Sequence, residues 1–145
     1  MLLMQDLRII MSSKDDVIAE SLSLVAERAG DVTSVIYEKY FMRCPSAEEV
    51  MSHLDAQVLG KMMEEVYRLL MVNDYESEND YLNWEVSNHE TAYNVEPHMY
   101  EGFFSAVIDS VREVMGSQWT PALERVWESK CEELRSEIAR RFSVD

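Results

Sequence analysis

The stretch His89-Glu90-Thr91-Ala92-Tyr93-Asn94-Val95-Glu96-Pro97-His98-Met99-Tyr100 decides how this chain is read. Upstream of it, Leu82, Val86 and His89 recur on adjoining turns, so Tyr81 to Thr91 reads as a short helix whose imidazole faces the same way as its apolar residues. Downstream, Val95-Glu96-Pro97 marks a corner, and Pro97 suits the first turn of another helix because its missing N–H has no intrahelical role there. That helix carries the stripe Tyr100, Phe103, Phe104, Val107, Ile108, Val111, Val114 and Met115, and Gly116 ends it. Thr120 and Pro121 then open a last helix with Leu123, Val126, Trp127, Cys131, Leu134, Ile138 and Phe142 on one side.

Toward the N-terminus the same periodicity continues. The polar run Asn73 to Asp80 reads as a loop. Before it, Val50, Met51, Leu54, Val58, Met62, Val66, Leu69 and Leu70 predict one long amphipathic helix beginning near Ser46. Pro45 disfavours helix at Cys44, which stops a second helix capped by Asp31 and carrying Val32, Val35, Ile36, Tyr37, Tyr40 and Phe41. The first long helix starts at a Ser12 or Ser13 cap, carries Val17, Ile18, Leu22, Leu24, Val25 and Ala26, and ends at Gly30. With only four Gly and three Pro to interrupt 145 residues, the expected class is all-α, in one domain over 12–145. Residues 1–11 read as an N-terminal extension, a short extra helix or a dimer contact, too short and too charged at Asp6 and Arg8 to span a bilayer.

A formal net charge of −15 repels polyanions, so nucleic acid is excluded as an expected partner, and an acidic surface suits a basic redox partner. Cys44 and Cys131 are too few and too widely spaced for a disulfide framework or a zinc motif, and a reducing cytoplasm is the expected setting. No Gly-rich phosphate loop or Ser or Cys nucleophile motif is present, and the doublets Glu64-Glu65 and Glu132-Glu133 read as solvated helix faces.

Periodicity alone stops at a helical bundle. The order of the segments, from about Ser12 to Phe142, resembles the globin family, and bacterial single-domain, flavohaemoglobin-like globins in particular. The 89–100 stretch looks like a proximal-histidine segment running through its corner into the next helix. Gly116-Ser117-Gln118-Trp119-Thr120-Pro121, with Trp127 beyond, is similar to the turn that opens the final globin helix, and Tyr37-Glu38-Lys39-Tyr40-Phe41-Met42-Arg43-Cys44-Pro45 resembles the second helix with its terminating Pro.

The resemblance implies haem b with its iron held by His89, the only metal ligand expected from the protein. It also implies that Leu82, Val86, Tyr93, Val95 and Phe104 line the proximal wall and that Tyr37 lies over the bound ligand. Met51 stands six residues after Pro45, where globins usually present a Phe against the haem. On the distal helix two registers remain open. Gln57 facing inward would join Tyr37 in donating hydrogen bonds to a bound gas; Val58 facing inward would leave Tyr37 nearly alone under a cap of Leu54 and Met62. His53 is a conceivable second axial ligand but reads as exposed, and His98 as surface or haem-edge.

The implied function is binding of dioxygen or another diatomic gas, that is, an oxygen-binding or oxygen-transport protein, acting as a monomer or homodimer. Nitric-oxide dioxygenation or weak peroxidase activity is a further implication. No flavin or nicotinamide domain follows Phe142, so electrons for dioxygenation would come from an external reductase. The alternatives from other classes are a gas or redox sensor working through a non-covalent partner, and a haem-free globin-like interaction domain.

Overall fold

The structure, a computed structural model, describes residues 13–142. The expected N-terminal extension, 1–11, and the Ser12 cap lie outside the described residues. Among the described residues seven α-helices follow one another: α1 Lys14–Ala29, α2 Thr33–Arg43, α3 Pro45–Met51, α4 Ala56–Leu70, α5 Asn79–Tyr93, α6 Pro97–Met115 and α7 Pro121–Ala139. No strand occurs among the described residues, and no helix there is long and apolar enough to cross a membrane. The protein is all-α.

Local chemistry sets most boundaries. The Ser13 hydroxyl accepts from the Asp16 N–H at 3.2 Å to start α1, and Gly30, at φ 68°, ends it in a conformation that side-chain-bearing residues avoid. Asp31 accepts from both the N–H and the hydroxyl of Thr33, at 2.9 and 2.6 Å, and so shapes the entry to α2. Thr120 accepts from Leu123 N–H at 3.2 Å, with Pro121 opening α7.

Two expectations need correction. The single long helix predicted from Ser46 to Leu70 is two helices, parted at residues 52–55. Asp55 takes the Val58 N–H at 2.9 Å and Ser52 turns its hydroxyl onto Glu49 O at 3.2 Å, so side chains satisfy backbone groups that a continuous helix would need. The predicted loop 73–80 is partly ordered: Tyr75–Glu78 forms a 3₁₀ turn and α5 already begins at Asn79. Asp74 nucleates that turn by accepting from Glu76 N–H at 3.0 Å.

The core lies where α6 crosses α2 and α1, with α7 packed across α1, α6 and α4. Ile18, Ile36, Leu70, Val107, Leu134 and Trp127 are among its fully buried members. Trp127 donates its indole N–H to Ser21, whose hydroxyl donates to Val17 O, so the largest core side chain carries no unmet polar group. Ala26 and Val35, expected on the inward stripes, face solvent instead. Lys130 is buried but fully engaged, donating to Asp15 at 2.7 Å and to Val72 O, with its ammonium 5.0 Å from the Tyr75 ring centre. It ties the start of α1 and the segment after α4 to α7. Helix α5 packs chiefly on the 3₁₀ turn before it, and the space between α5 and the rest of the bundle is a cavity.

Candidate functional site

That cavity, of about 470 Å³, falls in the size range of sites for small molecules and cofactors. Its walls come from every helix between α2 and α7. From α2 come Tyr37 and Tyr40; from α3, Val50 and Met51; from α4, Val58, Lys61, Met62, Glu65, Val66 and Leu69. Helix α5 supplies Tyr81, Leu82, Glu85, Val86, Asn88, His89 and Tyr93, and α6 supplies Met99, Tyr100, Phe103 and Phe104. Ten of the eleven cofactor-site residues expected from sequence therefore meet in one space: His89, Tyr37, Met51, Val58, Met62, Leu82, Val86, Tyr93, Val95 and Phe104.

The eleventh, Gln57, is exposed and lies outside the lining. The Asp55 cap fixes the phase of α4, so Leu54, Val58, Lys61, Met62, Glu65, Val66 and Leu69 follow one another at three- and four-residue steps on the cavity side. Gln57 points away. His53 occupies the break between α3 and α4, exposed yet on the cavity rim, whereas His98 is at the surface with Nδ1 3.2 Å from Glu96. Glu65 also departs from expectation: it lines the cavity and holds Arg68 at 2.9 Å, while Glu64 is exposed as read.

His89 is set by the end of its own helix. Asn94 adopts the left-handed conformation, φ 56° and ψ 36°, which Asn tolerates better than most residues. This turn brings the Val95 N–H onto His89 O at 3.0 Å and Val95 itself onto the cavity wall. Glu96 is extended, as a residue before Pro must be, and α6 leaves from there. Consequently Tyr100, in the first turn of α6, reaches back to His89: its hydroxyl is 2.8 Å from Nδ1. On the other side of the ring, Nε2 is 2.6 Å from Oε1 of Glu85, one helical turn earlier. The edge of Tyr93 closes on the imidazole with ring centres 6.4 Å apart.

A polar seam thus runs along the α5 wall. Tyr81 lies beside the Glu65 and Glu85 carboxylates, Glu85 pairs with His89, and His89 with Tyr100. The hydrogen bond from His89, with the Tyr81 hydroxyl nearby, holds the Glu85 carboxyl below its ordinary range against the opposing effect of burial. Burial pushes the Tyr100 and Tyr81 hydroxyls up, and the charge of Glu85 adds to both, so they stay protonated.

Across the cavity the surroundings are apolar. Tyr37 is 3% exposed, with Phe103 at 5.6 Å and Phe41 at 5.9 Å between ring centres, and Tyr40 meets Phe103 edge-on at 5.2 Å. Burial raises the pKa of Tyr37 far above its ordinary value, so its hydroxyl remains a donor. Among the described residues that hydroxyl has no hydrogen-bond partner, and it opens onto the cavity. A donor that opens onto a cavity without a protein partner is free to meet a polar group held there.

Sequence reasoning passed over Glu85 and Glu65 and took Tyr100 only as core. The signal for Glu85 was available, since a Glu four residues before a His on a helix lies directly beside it. No protein-family model matches this chain, and no curated protein matches it.

Proposed function

We propose that this protein is a globin-fold haem protein that binds dioxygen or a related diatomic gas at an iron held by His89. The observation that carries the proposal is the placement of His89 and the unpartnered Tyr37 hydroxyl on the walls of one cavity lined mainly by apolar side chains. Among the described residues no three His, Cys, Asp or Glu side chains converge as a metal site. An ion bound through a single imidazole needs its remaining ligands from elsewhere, and a tetrapyrrole brings four.

The residues present fit that group. Leu82, Val86, Val95 and Phe104 offer apolar surface on the His89 side, and Val58, Met62 and Met51 offer it opposite. Met51 fills its place with a flexible thioether instead of an aromatic ring. When bound, ferrous haem would supply the site at which a diatomic gas is held. The protein's part is to present a neutral imidazole, orient it through Tyr100, keep water out with the apolar walls and donate one hydrogen bond from Tyr37 to a polar ligand. With Gln57 turned outward, Tyr37 carries that donation alone. Sustained nitric-oxide dioxygenation would further require a supply of electrons.

One contact favours a second reading. Glu85 and Tyr100 together satisfy both ring nitrogens of His89, as they would in a cofactor-free pocket where His89 only braces α5 against α6. Resonance Raman spectroscopy on the protein expressed with ample haem separates the two. Haem binding through His89 predicts an iron–histidine stretching band in the ferrous state that His89→Ala abolishes. A protein that folds, stays colourless and takes up no haemin contradicts the proposal and leaves the bracing role.

A further inference from the structure

We propose that Glu85 guards the His89 nitrogen a metal would need, so that displacing Glu85 from Nε2 is the step that admits the cofactor; this rests on the haem reading above. The two residues stand four apart on α5 and therefore lie one over the other. Their contact, 2.6 Å from Oε1 to Nε2, closes the nitrogen on the cavity wall, since both side chains line the cavity.

The chemistry follows from what each group can offer. An ionised carboxylate only accepts hydrogen bonds, so the Nε2 facing Glu85 carries the hydrogen. A metal binds the lone pair of an unprotonated ring nitrogen. With Glu85 in place, the neutral ring is thus held in the tautomer whose proton sits on the ligating atom. Tyr100 serves either tautomer: its hydroxyl donates to a bare Nδ1 now and can accept from Nδ1–H later, because a phenol does both. Loading then keeps the ring neutral. One proton leaves Nε2 and one arrives on Nδ1, carried by water, and the Nε2 lone pair forms the metal bond.

Glu85 also has somewhere to remain. Tyr81, on the same wall one turn before it, is close enough for its hydroxyl to donate to the carboxylate when His89 is taken away. An incoming group must therefore displace a charged hydrogen bond before it reaches the nitrogen. A small hydrated cation has little to set against that loss, whereas a large flat group gains by burying its faces between α4 and α5. Glu85 makes the site selective for the second kind.

The test uses the haem-free protein with Glu85→Ala, Glu85→Gln and, as a charge control, Glu64→Gln, an exposed carboxylate off the cavity wall. Long-range proton–nitrogen NMR of the imidazoles should show His89 protonated at Nε2 in the unaltered protein, and no longer held so in Glu85→Ala. Stopped-flow mixing with haemin should give association about five- to tenfold faster in Glu85→Ala, the factor expected from losing a partly exposed charged pair. Glu85→Gln can accept from or donate to Nε2 and should fall between, which keeps the test readable if Glu85→Ala loses helix content. Glu64→Gln should change the rate by less than about twofold, the general effect of one surface charge. A bare Nε2 in the unaltered protein, or Glu85 variants that load at the unaltered rate while haemin binds normally, would overturn the guard and leave the haem reading standing. Failure of every one of these proteins to saturate with haemin would overturn both.

Discussion

Tyr37→Phe removes one oxygen atom and should move the empty and loaded proteins in opposite directions. In the empty protein the hydroxyl opens onto the cavity without a protein partner among the described residues; a fully sealed group of that kind would cost roughly 1–3 kcal/mol. Phe keeps the ring contacts to Phe41 and Phe103 and discards the cost. The cavity is roomy enough for water to bond the hydroxyl part of the time, so the lower figure applies: a stabilisation of about 1 kcal/mol, or about 2–4 °C in Tm for a domain of this size. In the loaded protein the same oxygen is the proposed donor to the gas, and losing a hydrogen bond of about 1.4 kcal/mol should speed dioxygen release about tenfold. Calorimetry on haem-free protein and stopped-flow displacement of dioxygen by carbon monoxide read the two effects separately. A haem-free variant less stable by 1 kcal/mol or more would mean that the hydroxyl already has an acceptor. Unaltered release would remove Tyr37 from ligand control.

Trp127→Ala should destabilise the fold by about 3–5 kcal/mol in urea titration, because it empties the centre of the core and removes the indole N–H that Ser21 accepts. Lys130→Ala should cost about 2–4 kcal/mol by the same measurement, leaving Asp15 and Val72 O without their cation; Lys130→Met, which refills the volume, should recover part of the loss. Burial opposes ionisation of Asp109, yet hydrogen bonds from Arg43 and Arg112 hold its carboxyl below the ordinary value of 3.8. The stability it contributes is therefore complete above the unfolded-state pKa and lost as pH falls through the lower folded one. Asp109→Asn should be less stable at pH 7 by about 1 kcal/mol, with a difference that vanishes in strong acid.

Helix order was legible because its punctuation is local. Ser13, Gly30, Pro45, Pro97, Gly116, Thr120 and Pro121 each act on backbone groups within a few residues, and periodicity supplied the inward faces. The break at residues 52–55 escaped notice because apolar spacing runs straight through it: Met51, Leu54 and Val58 would suit one helix as well as two. Only the competition of Asp55 for the Val58 N–H decides between them, and that same cap settles whether Gln57 or Val58 faces inward. The apolar members of the site could be expected from sequence, since a cavity wall and a core share one pattern. The polar seam could not. Glu65 and Glu85 read as surface charge until α4 and α5 are seen to face each other across the cavity, because a shared cavity wall is a property of two helices and not of either sequence alone.

The account turns on whether the imidazole of His89 holds haem iron in this cavity. Titration of the purified haem-free protein with haemin, followed at the Soret band beside His89→Ala, measures this directly. The expected result is saturation at one haemin per chain with an intense, sharp Soret band, and in the variant a weakened, displaced band without the histidine signature. A titration that never saturates, or a His89→Ala spectrum and affinity indistinguishable from those of the unaltered protein, would contradict it.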